Sequence, residues 1–145
     1  VAMTWHLFVG GLPKSSRPGT ILVSKSTGRP FLRGRNTSWA NRIAAAADAA
    51  RPAALLEGPL EARLVFALPR PVSGQAAKRA HPAVRPDVER LGSWVLDSLQ
   101  GIVFRDDAQI CRLELLKVYG GAPGVSISVA PLGGDGAGAD GRTSP

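Results

Sequence analysis

Carboxylates are concentrated in one part of a basic chain. The sequence carries 18 Lys and Arg against 11 Asp and Glu, yet five of those acids fall within residues 85–109. Such close like charges repel unless a divalent cation, a basic partner or separation by the fold compensates them. Magnesium suits oxygen ligands of this kind, since one or two carboxylates, waters and substrate phosphates usually hold it. The five acids are Asp87, Glu89, Asp97, Asp106 and Asp107.

The local sequence places these acids at the ends of predicted elements. Pro86 and Asp87 are typical of a helix start, and Gly101 favours a stop. Asp106 and Asp107 form a polar corner before a strand-like run, residues 110–119. The helix start and this corner can meet in space and bind one or two cations. The apolar residues that repeat with helical period are Val88, Leu91, Val95 and Leu99.

The same stretch resembles the signature of the RusA-type Holliday junction resolvases. That signature has a D-x-D pair opening a helix, D-A-L near the helix end, and then G-x-x-x-D-D-A-Q. A G-x-P turn at Gly11 and Pro13 and the terminal run Pro123–Val129 are also similar, so the resemblance spans roughly residues 3–130. The matching residues are Asp87-Val88-Glu89, Asp97-Ser98-Leu99, Gly101 and Arg105-Asp106-Asp107-Ala108-Gln109.

The resemblance implies a homodimeric, magnesium-dependent endodeoxyribonuclease acting in DNA recombination and repair, with Mn²⁺ as an alternative ion. Each protomer would nick one strand of a four-way DNA junction. Asp97 is expected to have a structural role. The predicted catalytic residues are Asp87, Glu89, Asp106, Asp107 and Lys117, of which Asp87, Glu89 and Asp107 are the predicted metal ligands.

Two positions depart from the family pattern. Glu89 stands where the family typically has Asp, and Ser93 stands where it commonly has Lys or Arg. Gly92, beside Ser93, weakens a helix interior by about 1 kcal/mol. Lys117 matches a lysine often seen in the family and is expected to compensate in part. A catalytically weakened homologue that binds DNA junctions is therefore the first alternative function.

Basic residues are concentrated in two segments that contain no acid, residues 14–42 and the Pro- and Gly-rich loop 69–86. Segments of this length that carry only positive charge favour a polyanionic partner. A basic RNA-binding module is the second alternative, although aromatic residues make up only 6% of the chain. The predicted DNA-binding residues are Lys14, Arg17, Lys25, Arg33, Arg35, Lys78, Arg79, Arg85 and Arg90.

The pattern predicts an α/β (α+β) single domain with a mixed or largely antiparallel sheet and two helices. We expect a nuclease domain over residues 1–131 and a disordered Gly-rich tail over 132–145. Cys111 is the one cysteine and is predicted to be a core thiol. Without a disulfide, membrane span or signal peptide, the chain is expected to be cytoplasmic. The predicted strands are 5–10, 60–68, 110–119 and 124–130, and the first predicted helix is 38–51.

Overall fold

A mixed sheet and two helices form the fold, as the sequence predicted. The computed structural model describes residues 3–14, 20–33 and 38–133. No helix among these residues is long and apolar enough to cross a membrane. The strands and helices are β1 (Trp5–Gly10), β2 (Thr20–Val23), β3 (Pro30–Arg33), α1 (Ser38–Ala49), β4 (Leu60–Leu68), α2 (Val88–Leu99), β5 (Ile110–Tyr119) and β6 (Gly124–Pro131).

The main sheet has the strand order β1-β6-β4-β5. Strand β6 is antiparallel to both of its neighbours, whereas β4 and β5 are parallel. Parallel neighbours need a long crossover, and residues 69–109, which contain α2, supply it. Strands β1 and β5 are therefore the two edges of this sheet. A separate two-stranded sheet pairs β2 with β3, a hairpin that was not predicted from the sequence.

Strand β4 has the alternation expected for a sheet with one covered face. Its apolar residues at every second position are buried, and the charged Glu61 and Arg63 lie on the other face. Helices α1 and α2 pack against each other and contribute Ile43, Leu91 and Leu99 to the same core. The buried side chains of β4 are Leu60, Ala62, Leu64, Phe66 and Leu68.

Helix α2 lies against β5 and runs in the opposite direction. Near the helix start, Lys117 Nζ donates to the Pro86 carbonyl at 2.8 Å. Mid-helix, a Cβ built on Gly92 would lie 2.8 Å from Leu115 Cδ1. Beyond the helix end, the Asp107 N–H donates to Gln100 Oε1 at 3.0 Å. Gly92 therefore permits a close approach of helix to strand, which explains a glycine that helix propensity alone disfavours.

Two expectations about element detail are corrected by the structure. Helix α1 ends at Ala49 rather than residue 51. The predicted core thiol is wrong: Cys111 is exposed, because β5 is an edge strand, and Leu113 on the same side of it is 44% exposed. The predicted tail lies outside the described residues from residue 134 onward.

Candidate active site

The corner between α2 and β5 is organised by the side-chain amide of Gln109. Its Oε1 accepts hydrogen bonds from the backbone N–H groups of Arg105 at 2.9 Å and Asp106 at 3.0 Å. Its Nε2 donates to the Leu56 and Gly58 carbonyls, both at 3.1 Å. An amide side chain has two donor protons and one acceptor oxygen with two lone pairs. Gln109 therefore uses its full hydrogen-bonding capacity, and its side chain links the corner to the segment before β4.

Asp106 and Asp107 have different local roles in this corner. The Asp106 side chain accepts from the Ala108 N–H at 2.9 Å and caps the short 3₁₀ turn Asp107–Gln109. Asp107 is held through its own backbone N–H, which donates to Gln100 Oε1. One oxygen of Asp106 is thus engaged in capping, whereas Asp107 is held in place through its backbone N–H. Asp107 is therefore the better candidate ligand of the two.

The electrostatic environment of Asp107 disfavours its charge. Partial burial raises the pKa of the Asp107 carboxyl above its usual value, and a side-chain hydrogen bond with Asp106 raises it further. The negative charges of Asp106 and Asp97 act in the same direction. Asp97 therefore lies close enough to affect the site electrostatically, which sequence reasoning had not predicted. The position of Asp97 in the last turn of α2, just before the corner, is the sequence feature that could have indicated this proximity.

Asp87 and Glu89 lie at the other end of α2. Asp87 occupies the N-cap position but its side chain makes no capping hydrogen bond. Arg90 Nε lies 3.8 Å from Asp87 Oδ2, with both side chains more than half exposed, so the pair contributes little. Glu89 in the first helical turn and Ser93 one turn later are exposed. These acids are therefore accessible to a ligand from solvent.

Lys117 supports the segment that leads to Asp87. Its ammonium group donates to the Val84 carbonyl at 2.7 Å and to the Pro86 carbonyl at 2.8 Å. Two of its three protons are thus engaged, and the contacts fix the backbone one residue before Asp87. The structure shows a positioning role for Lys117, and its predicted catalytic role stays a prediction.

Within one chain, the structure does not bring the two groups of acids together. Asp87 and Asp97 are separated by ten residues of helix, about 15 Å at 1.5 Å per residue. A magnesium ion binds its ligands at about 2.1 Å, and paired ions lie only about 4 Å apart. Accordingly, residues 3–14, 20–33 and 38–133 include no group of three or more His, Cys, Asp or Glu placed to hold a metal. The predicted shared ligand set stays a prediction.

The predicted DNA-binding residues fall into three groups. Arg79 donates to the Tyr119 hydroxyl at 3.0 Å and is partly committed to holding the loop. Arg17 and Arg35 lie outside the described residues, and only the backbone of Arg33, in β3, is described. The remaining predicted cations are exposed: Lys14, Lys25, Lys78, Arg85 and Arg90.

A second arginine stabilises the loop between β4 and α2. Arg70 Nη1 donates to the Ala77 carbonyl at 3.2 Å and to the Arg79 carbonyl at 2.6 Å. Its guanidinium group also lies 4.6 Å from the centre of the Tyr119 ring, a cation–π contact. The loop is therefore fastened to the end of β5, and it presents Lys78 and Arg85 to solvent.

Comparison with known proteins decides the family. The sequence profile described as "Endodeoxyribonuclease RusA" matches residues 14–130. The chain belongs to the RusA endodeoxyribonuclease family. The matched range includes both acid groups and all of the main sheet except β1 and the last residue of β6, so the family resemblance noted in the sequence is confirmed. A relative, "Uncharacterized protein YqaN" of Bacillus subtilis (strain 168), is 26% identical over 96 residues, which cover 60% of this chain and 68% of the relative.

Proposed function

We propose that this protein is a magnesium-dependent, structure-selective endodeoxyribonuclease that resolves four-way DNA junctions by paired nicks. The family match over residues 14–130 is the observation that carries the proposal. The hydrogen-bonded corner around Gln109 supports it, because it holds Asp107 in one position. Catalysis of phosphodiester hydrolysis depends on such fixed placement of charged groups.

The carboxylate oxygens of these acids are ligands of the type that a hard divalent cation prefers. Asp87 and Glu89 at one end of α2 and Asp107 at the other are the proposed ligands, and within one chain the two ends would hold separate ions; a bound ion would activate a water and stabilise the leaving oxygen. The protein's own contribution is positioning. Gln109 orients the corner that carries Asp107, and Lys117 orients the backbone before Asp87. A cation beside Asp107 would also favour its ionised form and oppose the effects that raise its pKa.

Nucleic acid binding is proposed to rest on the exposed basic residues. Lys78 and Arg85 lie in the loop that precedes Asp87, and Arg90 lies in the first turn of α2. This arrangement brings positive charge to the same end of the helix as Asp87 and Glu89. Phosphate contacts there would counter the repulsion between the acids and the DNA backbone.

The test is cleavage of a labelled four-way junction beside a linear duplex of the same sequence. With Mg²⁺ we expect paired nicks in the junction, none in EDTA, and at least tenfold weaker cutting of the duplex. Asp107→Asn is expected to abolish cleavage and retain junction binding. Cleavage that persists in EDTA, or that is undiminished in Asp107→Asn, would refute the proposed metal site.

A second candidate function, a slow or inactive junction-binding protein, is favoured by one observation. Ser93 is exposed and uncharged one turn from Glu89, where a lysine would project over the same helix face. We expect the double variant Glu89→Asp, Ser93→Lys to nick at least about tenfold faster in single turnover, since one transition-state contact is worth about 10²–10³ in rate. Junction affinity should change little.

The control for this gain is the same double variant in a Lys117→Ala background. Suppose that Glu89→Asp with Ser93→Lys does not speed cleavage when Lys117 is present but does so in the Lys117→Ala protein. Lys117 then already supplies the missing cation. No gain in either background would mean that Ser93 does not limit the rate. Junction binding with no nicking in any of these proteins would favour the second candidate.

A further inference from the structure

A small cavity at the start of helix α1, here called the α1 cavity, has two basic side chains and no acidic one among its described lining residues. Its volume is about 200 Å³, several times what one water needs and large enough for a phosphate group. Lys14 comes from the segment after β1, and Arg42 comes from α1. The lining residues are Gly11, Leu12, Lys14, Ser38, Trp39 and Arg42.

The two cations of the α1 cavity have no carboxylate partner in the part of the chain that the structure describes. Three ion pairs occur there, and none includes Lys14 or Arg42. The sequence between these two residues contains no acid either. Both side chains are exposed. Two positive charges beside one cavity repel each other, and an anion between them relieves that repulsion.

The backbone adds to the positive character of the α1 cavity. Helix α1 begins at Ser38, and its first turn contains no acid. The N–H groups of a first helical turn have no intrahelical acceptor, and the helix macrodipole places partial positive charge there. Phosphate groups bind at helix starts for these two reasons. The start of α1 is therefore a third positive contribution to the cavity, after Lys14 and Arg42.

Trp39, which lines the same cavity, carries a buried donor without an acceptor. The residue is 4% exposed, and its indole Nε1 has no hydrogen-bond partner among the described residues. By contrast, Trp5 Nε1 donates to the Ala50 carbonyl at 2.8 Å. A buried N–H without an acceptor is unfavourable, and phosphate oxygens are acceptors. This observation is independent of the charges and also points to an acceptor ligand at the start of α1.

Gly11 permits the close approach that forms the α1 cavity. A Cβ built on it would lie 3.1 Å from Trp39 Cζ3 and 3.4 Å from Arg42 Nε. Its φ of +134° is in the region that favours glycine. The Gly11 N–H donates to the Pro123 carbonyl at 3.0 Å, which fixes the turn after β1. Glycine thus lets this turn lie against α1, and the turn brings Lys14 to the cavity.

The α1 cavity lies toward the same end of the helix pair as Asp107. Next to it along α1, Ala40 and Asn41 line a groove together with Asp97 and Gln100 of α2. Gln100 in turn accepts a hydrogen bond from the Asp107 N–H. The cavity therefore supplies positive charge toward this end of α2, whereas the basic loop before α2 supplies it at the other end.

We propose that the α1 cavity binds one backbone phosphate of DNA, and that Lys14 and Arg42 hold this phosphate together. A strand with a phosphate in the cavity is held on the side of the molecule that carries Asp107. The assignment to DNA rests on the proposed function, whereas the phosphate site itself does not. Inorganic phosphate therefore tests the site, and junction DNA tests the assignment.

Nitrogen-15 NMR of the indole N–H groups of the three tryptophans tests the site without reference to activity. In EDTA, inorganic phosphate should shift the Trp39 signal saturably in the millimolar range. The signal of the hydrogen-bonded Trp5 should stay in place. Trp39→Phe identifies the Trp39 signal by its absence, and chloride at matched ionic strength controls for screening.

Substitutions of Arg42 test the residues of the site. Arg42→Ala should lose most of the phosphate-dependent shift, and Arg42→Lys should keep part of it, because lysine retains the charge but not the planar fork of donors. Arg29→Ala, at an exposed position before β3, removes the same charge elsewhere and should bind phosphate as the wild type does. No saturable shift, an equal shift with chloride, or unchanged binding by Arg42→Ala would overturn the site.

The salt dependence of junction binding tests whether two cations share one phosphate. Each phosphate contact contributes about 0.9 to the slope of log K against log salt concentration. The double variant Lys14→Ala, Arg42→Ala should therefore reduce the slope by about 1, and the fold losses of the two single variants should not multiply. A reduction of about 2 with losses that multiply would show two separate phosphates and overturn the shared one.

Junction DNA, titrated in EDTA, should shift the Trp39 signal and displace inorganic phosphate. A saturable phosphate site that junction DNA leaves unchanged would overturn the assignment to DNA and identify a free phosphate compound as the ligand. A wild type that binds phosphate at this site and cleaves no DNA would refute the proposed function and leave the phosphate site standing.

Discussion

The hydrogen bonds of its side chain explain why a glutamine, Gln109, stands two residues after the paired aspartates Asp106 and Asp107. Its amide makes four hydrogen bonds to backbone groups of the corner and of the segment before β4. A glutamate at this position would lose both donors, and an asparagine would be one methylene shorter. The residue thus controls where Asp107 lies without being a ligand itself.

Gln109→Ala should therefore lower both stability and activity. Each neutral hydrogen bond nets about 1 kcal/mol, and water can replace some of those at exposed positions, so we expect a loss of about 1–2 kcal/mol in urea unfolding. Junction cleavage should fall more than junction binding, because Asp107 is misplaced. Gln75→Ala, at an exposed position in the 3₁₀ turn Gln75–Lys78, is the control and should change neither. A Gln109→Ala protein of unchanged stability would contradict this account.

The raised pKa of Asp107 predicts a pH-dependent effect on stability. Because the folded state binds the proton more tightly than the unfolded state, the protonated form favours folding at low pH, and this contribution is lost as pH rises through the folded pKa. In EDTA at pH 7, Asp107→Asn should raise the melting temperature by roughly 1–2 °C, the scale of one like-charge contact.

That gain should shrink toward zero as the pH falls below 3.8, the usual Asp value. It should also be smaller in an Asp97→Asn background, since Asp97 is one source of the repulsion. A gain that does not change between acidic and neutral pH would show that charge is not its cause.

At the level of the elements, α2 and β5 approach each other closely because α2 has a glycine, with no side chain, at the point of contact. Gly92 lies against Leu115, and a Cβ there would lie 2.8 and 2.9 Å from the two Leu115 methyl carbons. The close approach sets how far β5 lies from the helix that carries Asp87 and Asp97. Helix propensity and packing therefore oppose each other at this position.

Gly92→Ala should leave the unfolding free energy within about 1 kcal/mol of wild type, because the helix gain of about 1 kcal/mol offsets the crowding of a flexible leucine. Gly92→Val should lose about 1–3 kcal/mol through overpacking. In a Leu115→Ala background, Gly92→Ala should show the full gain in urea unfolding. The same gain in the unmodified background would show that the contact is loose.

At the scale of the whole molecule, the formal charge of +7 is distributed unevenly. Five of the 11 acids lie at or near the two ends of α2, and exposed Lys78, Arg85 and Arg90 lie at one of those ends. We therefore expect a polyanion to be attracted to the region that contains the candidate site. Binding should depend on the release of counterions from DNA phosphates.

Junction affinity should accordingly fall steeply with salt. With about six phosphate contacts, the slope of log K against log salt concentration should be roughly −5. Binding titrations from low to physiological salt measure it, in EDTA to prevent cleavage. Replacing Lys78 and Arg85 by alanine should reduce the slope by about 2, whereas Lys25→Ala, at an exposed turn before β3, is the single-charge comparison. A slope near zero would contradict electrostatic binding.

Local sequence patterns were enough to predict the strands of the main sheet, both helices and the positions of the acids at element ends, and the alternation along β4 indicates its buried face. These features depend on neighbouring residues along the chain, through hydrophobic period, capping and turn chemistry. Strand β5 shows the limit of that information, because its bounds were predicted correctly and its exposure was not. Burial of Cys111 depends on whether β5 lies at an edge or in the middle of the sheet.

Which ends of the elements meet follows from the three-dimensional packing and not from local patterns. Pairing β4 parallel to β5 requires a crossover, and α2 in that crossover runs against β5. Asp87 and Asp107 therefore lie apart in one chain, although both belong to the same short stretch of sequence. The glycine at position 92 is likewise explained only by its contact with Leu115. Contacts between residues distant in sequence follow from the packing of whole elements, which local patterns do not specify.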